Sequence, residues 1–138
     1  MDIQVDIVSA EQEIWSGYAR MVFAPGEMGE LGILPRHSPL LSRLKAGEVR
    51  IVGVDESEHS FFISGGILEI QPHVVTILAD TAIRAGDLDE AAAIEAKRRA
   101  EDVMAERKSE MDFARAKAEL SELSALIETI KKIRNRKA

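Results

Sequence analysis

The sequence predicts an antiparallel sandwich or barrel of many short strands, followed by an antiparallel hairpin of two helices. Through the first half, apolar and polar residues alternate, the period of a half-buried strand. Turn formers cut that half into short pieces with no helical segment between them. From Asp87 onward Gly and Pro vanish, and apolar residues recur in steps of three and four. The boundary therefore falls between a sandwich domain, residues 1–86, and a helical domain, residues 87–138.

The first strand is written in "DIQVDIVS", where Ile3, Val5 and Ile7 share one side and Asp2, Gln4 and Asp6 the other. Further strands are expected in "EIWSG", "ARMVFAP", "LGILP", "EVRIVGV", "HSFFISG", "GILEIQ" and "HVVTILA". Gly17, Pro25-Gly26, Gly29, Pro35, Gly47, "DESE", Gly65-Gly66 and Pro72 separate them. Two packed sheets let each strand bury one face.

Asp87 starts the first helix as its N-cap, with Glu90 three residues later completing a capping box. The second helix is capped by either Ser109 or Asp112, which places the turn near residues 108–112. Its seam runs Phe113, Ala116, Leu120, Leu123, Ile127 and Ile130, the spacing of a coiled coil. The first helix answers with Ala93, Ala96, Ala100 and Val103. Small residues let the partner approach but bury little apolar area, at roughly 25 cal/mol per Å². The pair is therefore expected to hold weakly and to be able to rearrange.

Composition narrows the function classes. The chain has 138 residues, 46% of them hydrophobic and none of them cysteine, so disulfides, thiolate metal sites and a cysteine nucleophile are excluded. No apolar run approaches the ~20 residues that span a bilayer, and the acidic, alternating start is unlike a secretory signal. The net charge of −6 lies in the first 86 residues, with six Lys and Arg against twelve Asp and Glu; the remainder carries twelve of each. Such a sandwich makes no general nucleic-acid binder. Five of the later bases crowd into the last eight residues. They suit an acidic partner, and equally the macrodipole of a helix C-terminus.

Catalytic motifs are missing. His37, His59 and His73 do not form a paired metal-binding motif, so no metal site is expected. There is no G-x-S-x-G, and "GEMGELG" lacks the Lys and Ser or Thr that end a phosphate-binding loop. An interaction or structural role is the default reading.

Three stretches then carry a resemblance. "DIVSAEQEIWSG", "GELGILPRHSPLL" at residues 29–41 and "ISGGILEIQPHVVTILADTAIRAGDLDEA" at residues 63–91 are similar to the epsilon subunit of the bacterial F-type ATP synthase. The resemblance covers nearly the whole chain. It implies a β-sandwich of about ten short, mostly antiparallel strands with a C-terminal two-helix domain, in a non-catalytic rotor subunit of the central stalk, bound to the gamma subunit and resting on the c-ring. It implies a peripheral place on the cytoplasmic side of the bacterial inner membrane, without membrane insertion or a cofactor. It also implies that the two helices can extend toward the α and β subunits and block ATP hydrolysis.

The resemblance further assigns residues. Glu30 and His37 are the positions for the c-ring contact. Arg98, Arg99, Arg107 and Lys108 on the first helix, and Lys131, Lys132, Arg134, Arg136 and Lys137 on the second, are those for inhibitory contacts with the catalytic head. Family members that bind ATP on the helices carry Ile/Leu-Asp-x-x-Arg-Ala; here the stretch is Leu88-Asp89-Glu90-Ala91-Ala92-Ala93. Asp89 and Ala93 remain, but Ala92 stands where the arginine supplies a fixed charge and forked donors for phosphate. The site is expected to be degenerate and ATP binding weak or lost. The alternatives are a free-standing nucleotide sensor whose helices rearrange on ATP, and a small metal-dependent hydrolase using the histidines.

Overall fold

The computed structural model describes residues 2–106 and 109–137. The chain divides into two compact units that meet in sequence at Gly86 and Asp87. The first is a sandwich of nine strands: β1 (Ile3–Val8), β2 (Glu13–Gly26), β3 (Gly29–Ile33), β4 (Leu40–Leu44), β5 (Gly47–Gly53), β6 (Glu58–Ile63), β7 (Gly66–Ile70), β8 (Val74–Ala79) and β9 (Ala82–Arg84). The second holds α1 (Glu90–Glu106) and α2 (Glu110–Lys137), packed on each other.

The expected "EIWSG" and "ARMVFAP" strands are one strand of 14 residues. Its first part, residues 13–19, pairs with β1, and residues 22–26 pair with β3. A register shift between Ala19 and Met21 on the β5 side lies where the partners change. The bend of a bulge lets one strand serve both layers without a break. On one side of β2 the ladder continues through β1, β8, β7 and β4; on the other through β5, β6 and β9. The pair Gly26 and Leu44 joins β2 to β4 and closes the circuit. Among the described residues every pairing is antiparallel except β1 with β8. Strands β4 and β9 were not foreseen, because "LLSRL" does not alternate cleanly and "AIR" is too short to show a period.

The core lies between the layers. Ile3, Val5 and Ile7 enter it from β1, with Val22, Ile51, Phe61, Ile63, Leu68, Val75 and Ile77 opposite or beside them. Alternation does what it predicts here: each of these residues is flanked by neighbours that point away from the core. Gly66 is required at the start of β7. Its φ is +156°, and a Cβ there would sit 2.1 Å from the Leu78 carbonyl oxygen.

In the helical unit, Ala93, Ala100, Ala116, Ile127 and Ile133 are buried. The expected seam of α2 is covered throughout, half-buried or better. On α1 the seam drifts: Val103 is 43% exposed, and Met104 turns inward in its place. A straight helix of 3.6 residues per turn slips from a 3.5 repeat in this way. The Ser109 hydroxyl accepts the Asp112 N–H at 3.0 Å, and its carbonyl accepts the Phe113 N–H at 3.0 Å. Ser109, not Asp112, is thus the cap of α2.

Candidate functional site

Three surfaces offer themselves, two on the sandwich and one on the helices. The first is the segment from the end of β2 to the start of β4. Gly26 pairs with Gly29, so Glu27 and Met28 form a two-residue tip, and Met28 is fully exposed. Gly29 permits the turn with φ +134°. The tip is tied to β4, for the Glu27 N–H donates to the Arg43 carbonyl at 3.2 Å and the Lys45 N–H to the Pro25 carbonyl at 2.9 Å. Glu30 follows on β3, exposed and opposite Pro25. Beyond β3, the His37 N–H donates to the Leu34 carbonyl at 3.2 Å, closing a turn over Pro35 and Arg36. Arg36 has φ +67°, a position where glycine is the usual resident. Holding a Cβ there costs about 1–2 kcal/mol, and it projects an exposed guanidinium. The His37 Nδ1–H donates to the Ser38 carbonyl at 2.7 Å, which fixes the ring against its own turn. Glu30 and His37 thus belong to one continuous segment, the first on a strand and the second in a turn.

The second surface was not foreseen. On the outward face of the β4, β7, β8 and β1 layer, the register places Arg43 beside Ile67, Ile67 beside Leu78, and Leu78 beside Val8. Leu41 lies on the same face of β4, 70% exposed. An apolar row on the face of a sheet turned from its core marks a contact surface. Its signal was present in the sequence as apolar residues out of phase: Leu78 interrupts the Val75, Ile77, Ala79 alternation.

The third surface is the start of α1. A 3-10 turn spans Ala85–Asp87, and α1 begins after Asp89. The Asp89 carboxylate accepts the Ala92 N–H at 3.1 Å, and its carbonyl accepts the Ala93 N–H at 3.1 Å. The expected capping box of Asp87 and Glu90 is therefore corrected: Asp89 is the cap. The short turn uses up Asp87, and the chain reaches helical geometry two residues later. Glu90 becomes the first helical residue, and its carboxylate accepts the Arg134 guanidinium at 2.8 Å. Asp89 and Ala93, which the sequence assigned to a degenerate nucleotide site, are both engaged in the helix itself, Ala93 as a buried seam residue. Ala92 is exposed.

The other basic positions separate by location. Arg98 and Arg99 are exposed and share Glu95, at 2.7 and 3.9 Å. Lys131, Lys132, Arg134 and Arg136 are exposed on the last turns of α2, flanking buried Ile133. Lys137 ends that helix. Arg107 and Lys108 lie outside the described residues, as does the side chain of Lys137. The histidines sit on three different elements: His37 in the β3–β4 turn, His59 on β6 with its ring 5.4 Å from Trp15, and His73 in the β7–β8 turn. Among the described residues no group of three or more His, Cys, Asp or Glu gathers to hold a metal ion.

Comparison with known proteins agrees with both units. Residues 2–85 match the family described as ATP synthase, Delta/Epsilon chain, beta-sandwich domain. Residues 87–131 match that described as ATP synthase, Delta/Epsilon chain, long alpha-helix domain. The chain is 57% identical to the ATP synthase epsilon chain of Nitrosococcus oceani over 136 residues, covering 99% of this chain and 97% of that one. It is 62% identical to that of Hydrogenovibrio crunogenus, covering 99% and 94%. Among solved structures, a chain of the Euglena gracilis mitochondrial ATP synthase, captured with its c-ring, superposes with a TM-score of 0.82 at 18% identity, covering 91% of this chain and 79% of that chain. A chain of the Tetrahymena thermophila mitochondrial ATP synthase, from its central stalk and c-ring, does so with a TM-score of 0.61 at 14% identity, covering 94% and 97%. At such identities the likeness is one of fold, whereas the bacterial relatives match in sequence almost end to end. By that match the chain belongs to the epsilon-chain family of the bacterial F-type ATP synthase, whose members are non-catalytic subunits of the complex.

Proposed function

We propose that this subunit sits in the central stalk, turns with the gamma subunit and the c-ring, and restrains ATP hydrolysis through its two helices. The observation that carries the stalk role is the apolar row of Ile67, Leu78 and Val8, with Leu41 beside it, on a sandwich of this family. In this reading that face docks on gamma, and a rigid sheet is what transmits torque without yielding. The acidic tip with Glu30, and the His37 turn beyond it, meet the c-ring. Cytoplasmic loops of membrane helices carry an excess of Lys and Arg, which suits Glu27 and Glu30. Among the described residues no helix is long and apolar enough to cross a membrane. The subunit is held at the cytoplasmic face of the inner membrane by its partners.

The regulatory role rests on α1 and α2. Their basic residues, Arg98 and Arg99 on one helix and Lys131, Lys132, Arg134 and Arg136 on the other, are exposed and suit acidic segments of the α and β subunits. Arg107, Lys108 and Lys137 complete that set by sequence. ATP has little to bind here, since Ala92 offers a methyl in place of a guanidinium and Asp89 is spent on the cap. A nucleotide-sensing role is therefore not favoured. The test is deletion of residues 87–138 in the assembled synthase. ATP hydrolysis should rise severalfold while proton-coupled synthesis persists. Unchanged hydrolysis would refute the restraint, and loss of assembly would refute the division of labour between the two units.

A further inference from the structure

The helical unit contains an ion pair between residues 44 apart in sequence, Glu90 at the start of α1 and Arg134 near the end of α2. These are the ends of the hairpin that no covalent turn connects. The guanidinium and carboxylate meet at 2.8 Å, with side-chain exposures of 60% and 29%. The neighbouring seam residues on α1 are Ala93 and Ala96, so apolar burial from that helix is thin where the pair sits. The first turn of α1 is otherwise held by the Asp89 cap.

We propose that Glu90 and Arg134 form a latch that closes the open end of the hairpin. Arg134 exchanges Glu90 for a carboxylate of the catalytic head when the helices extend. The second statement rests on the restraining role proposed above; the first does not. The chemistry favours exchange over simple release. An arginine keeps its charge at any physiological pH, and its planar fork accepts one carboxylate as readily as another. Separating the helices would leave Glu90 without its cross-helix donor and free Arg134 for a new partner. The barrier to opening then contains a charge term that an acidic site on the head repays. Glu90 also lies at the positive end of the α1 dipole, so its carboxylate stays favourable to α1 after Arg134 has left. The latch can therefore open without melting the helix.

The test uses the full chain. Amide exchange of residues 90–106 is measured in the wild type, Glu90→Gln, Arg134→Gln and the double variant, with the sandwich amides as internal reference. Each single variant should raise exchange through hairpin opening by about twofold to fivefold, as expected for a partly exposed pair. The double variant should be no faster than the faster single, because the two groups act as one. High salt should bring the wild type toward the variants. Additive effects of the two substitutions, or none, would overturn the latch. In the assembled synthase the same substitutions should act with opposite sign. Glu90→Gln should lower ATP hydrolysis by freeing Arg134 for the head, and Arg134→Gln should raise it by removing the head contact. Changes of the same sign, or none, would overturn the exchange while leaving the latch to the amide result. Deletion of residues 87–138 separately decides whether the helices restrain hydrolysis at all.

Discussion

The two units bury different side chains. Between the sheets lie large side chains such as Phe61, Ile7, Ile33, Ile51, Ile63, Leu68 and Ile77, shielded almost completely. Between the helices, α1 contributes Ala93 and Ala100 as its buried residues, and only α2 brings larger ones, Ile127 and Ile133. Fully burying a branched aliphatic side chain stabilises by about 1.5–3 kcal/mol, and an alanine methyl contributes far less. The sandwich is thus the more strongly held of the two units. The hairpin is held with smaller side chains on one of its two helices. The difference teaches that the size of the buried side chains, and not only the presence of a regular apolar period, sets how firmly each unit is held.

Substitutions can break that contrast. Phe61→Ala removes a ring that is 1% exposed in the sandwich core and lies under the Arg84 guanidinium. It should cost about 3–5 kcal/mol, read as a lower denaturant midpoint for the sandwich signal. A loss below 1 kcal/mol would mean the core is not the close-packed body described. Ala100→Leu asks the complementary question of the hairpin. Enlarging a seam methyl that is 4% exposed should force the helices apart at a cost of about 1–3 kcal/mol. Amide protection should fall in residues 90–137 and stay unchanged in the sandwich. Equal loss in both units would show that they unfold together.

The smallest effect belongs to the sandwich rim. The Ser57 hydroxyl and the Ser57 amide both donate to Asp55 Oδ1, at 2.6 and 3.1 Å, and hold its carboxyl below the ordinary value of 3.8. A carboxyl lowered by folding adds stability above its unfolded value, and loses it as pH falls through the folded value. Ser57→Ala should therefore destabilise slightly near neutral pH, and the effect should fade in strong acid, once Asp55 is protonated in both states. Denaturant midpoints under the two conditions measure this. A larger loss in acid than at neutral pH would reverse the assigned sign.

Much of the architecture was legible without coordinates. Ile3, Val5 and Ile7 announced their own burial because a strand's period is two, and the α2 seam did so because a helix's period is close to three and a half. The site was less legible. Glu30 and His37 could be named from motif resemblance, but the Arg36 backbone conformation and the tie from Glu27 to Arg43 depend on contacts between separate strands. The row of Ile67, Leu78 and Val8 was hidden for the same reason: each residue is unremarkable on its own strand, and only the register makes them neighbours.

By itself the sequence determined the class of each half, the family and the change of period at Asp87. These are local properties, set by residue type and spacing along the chain. Tertiary structure alone decided that β2 would run unbroken through both layers and that β1 would pair in parallel with β8. It decided that Asp89 would take the cap from Asp87, and that Glu90 would find Arg134 rather than its own backbone. Each of those outcomes is a choice between partners of similar local merit. The choice falls to whichever pairing the packed whole can satisfy together.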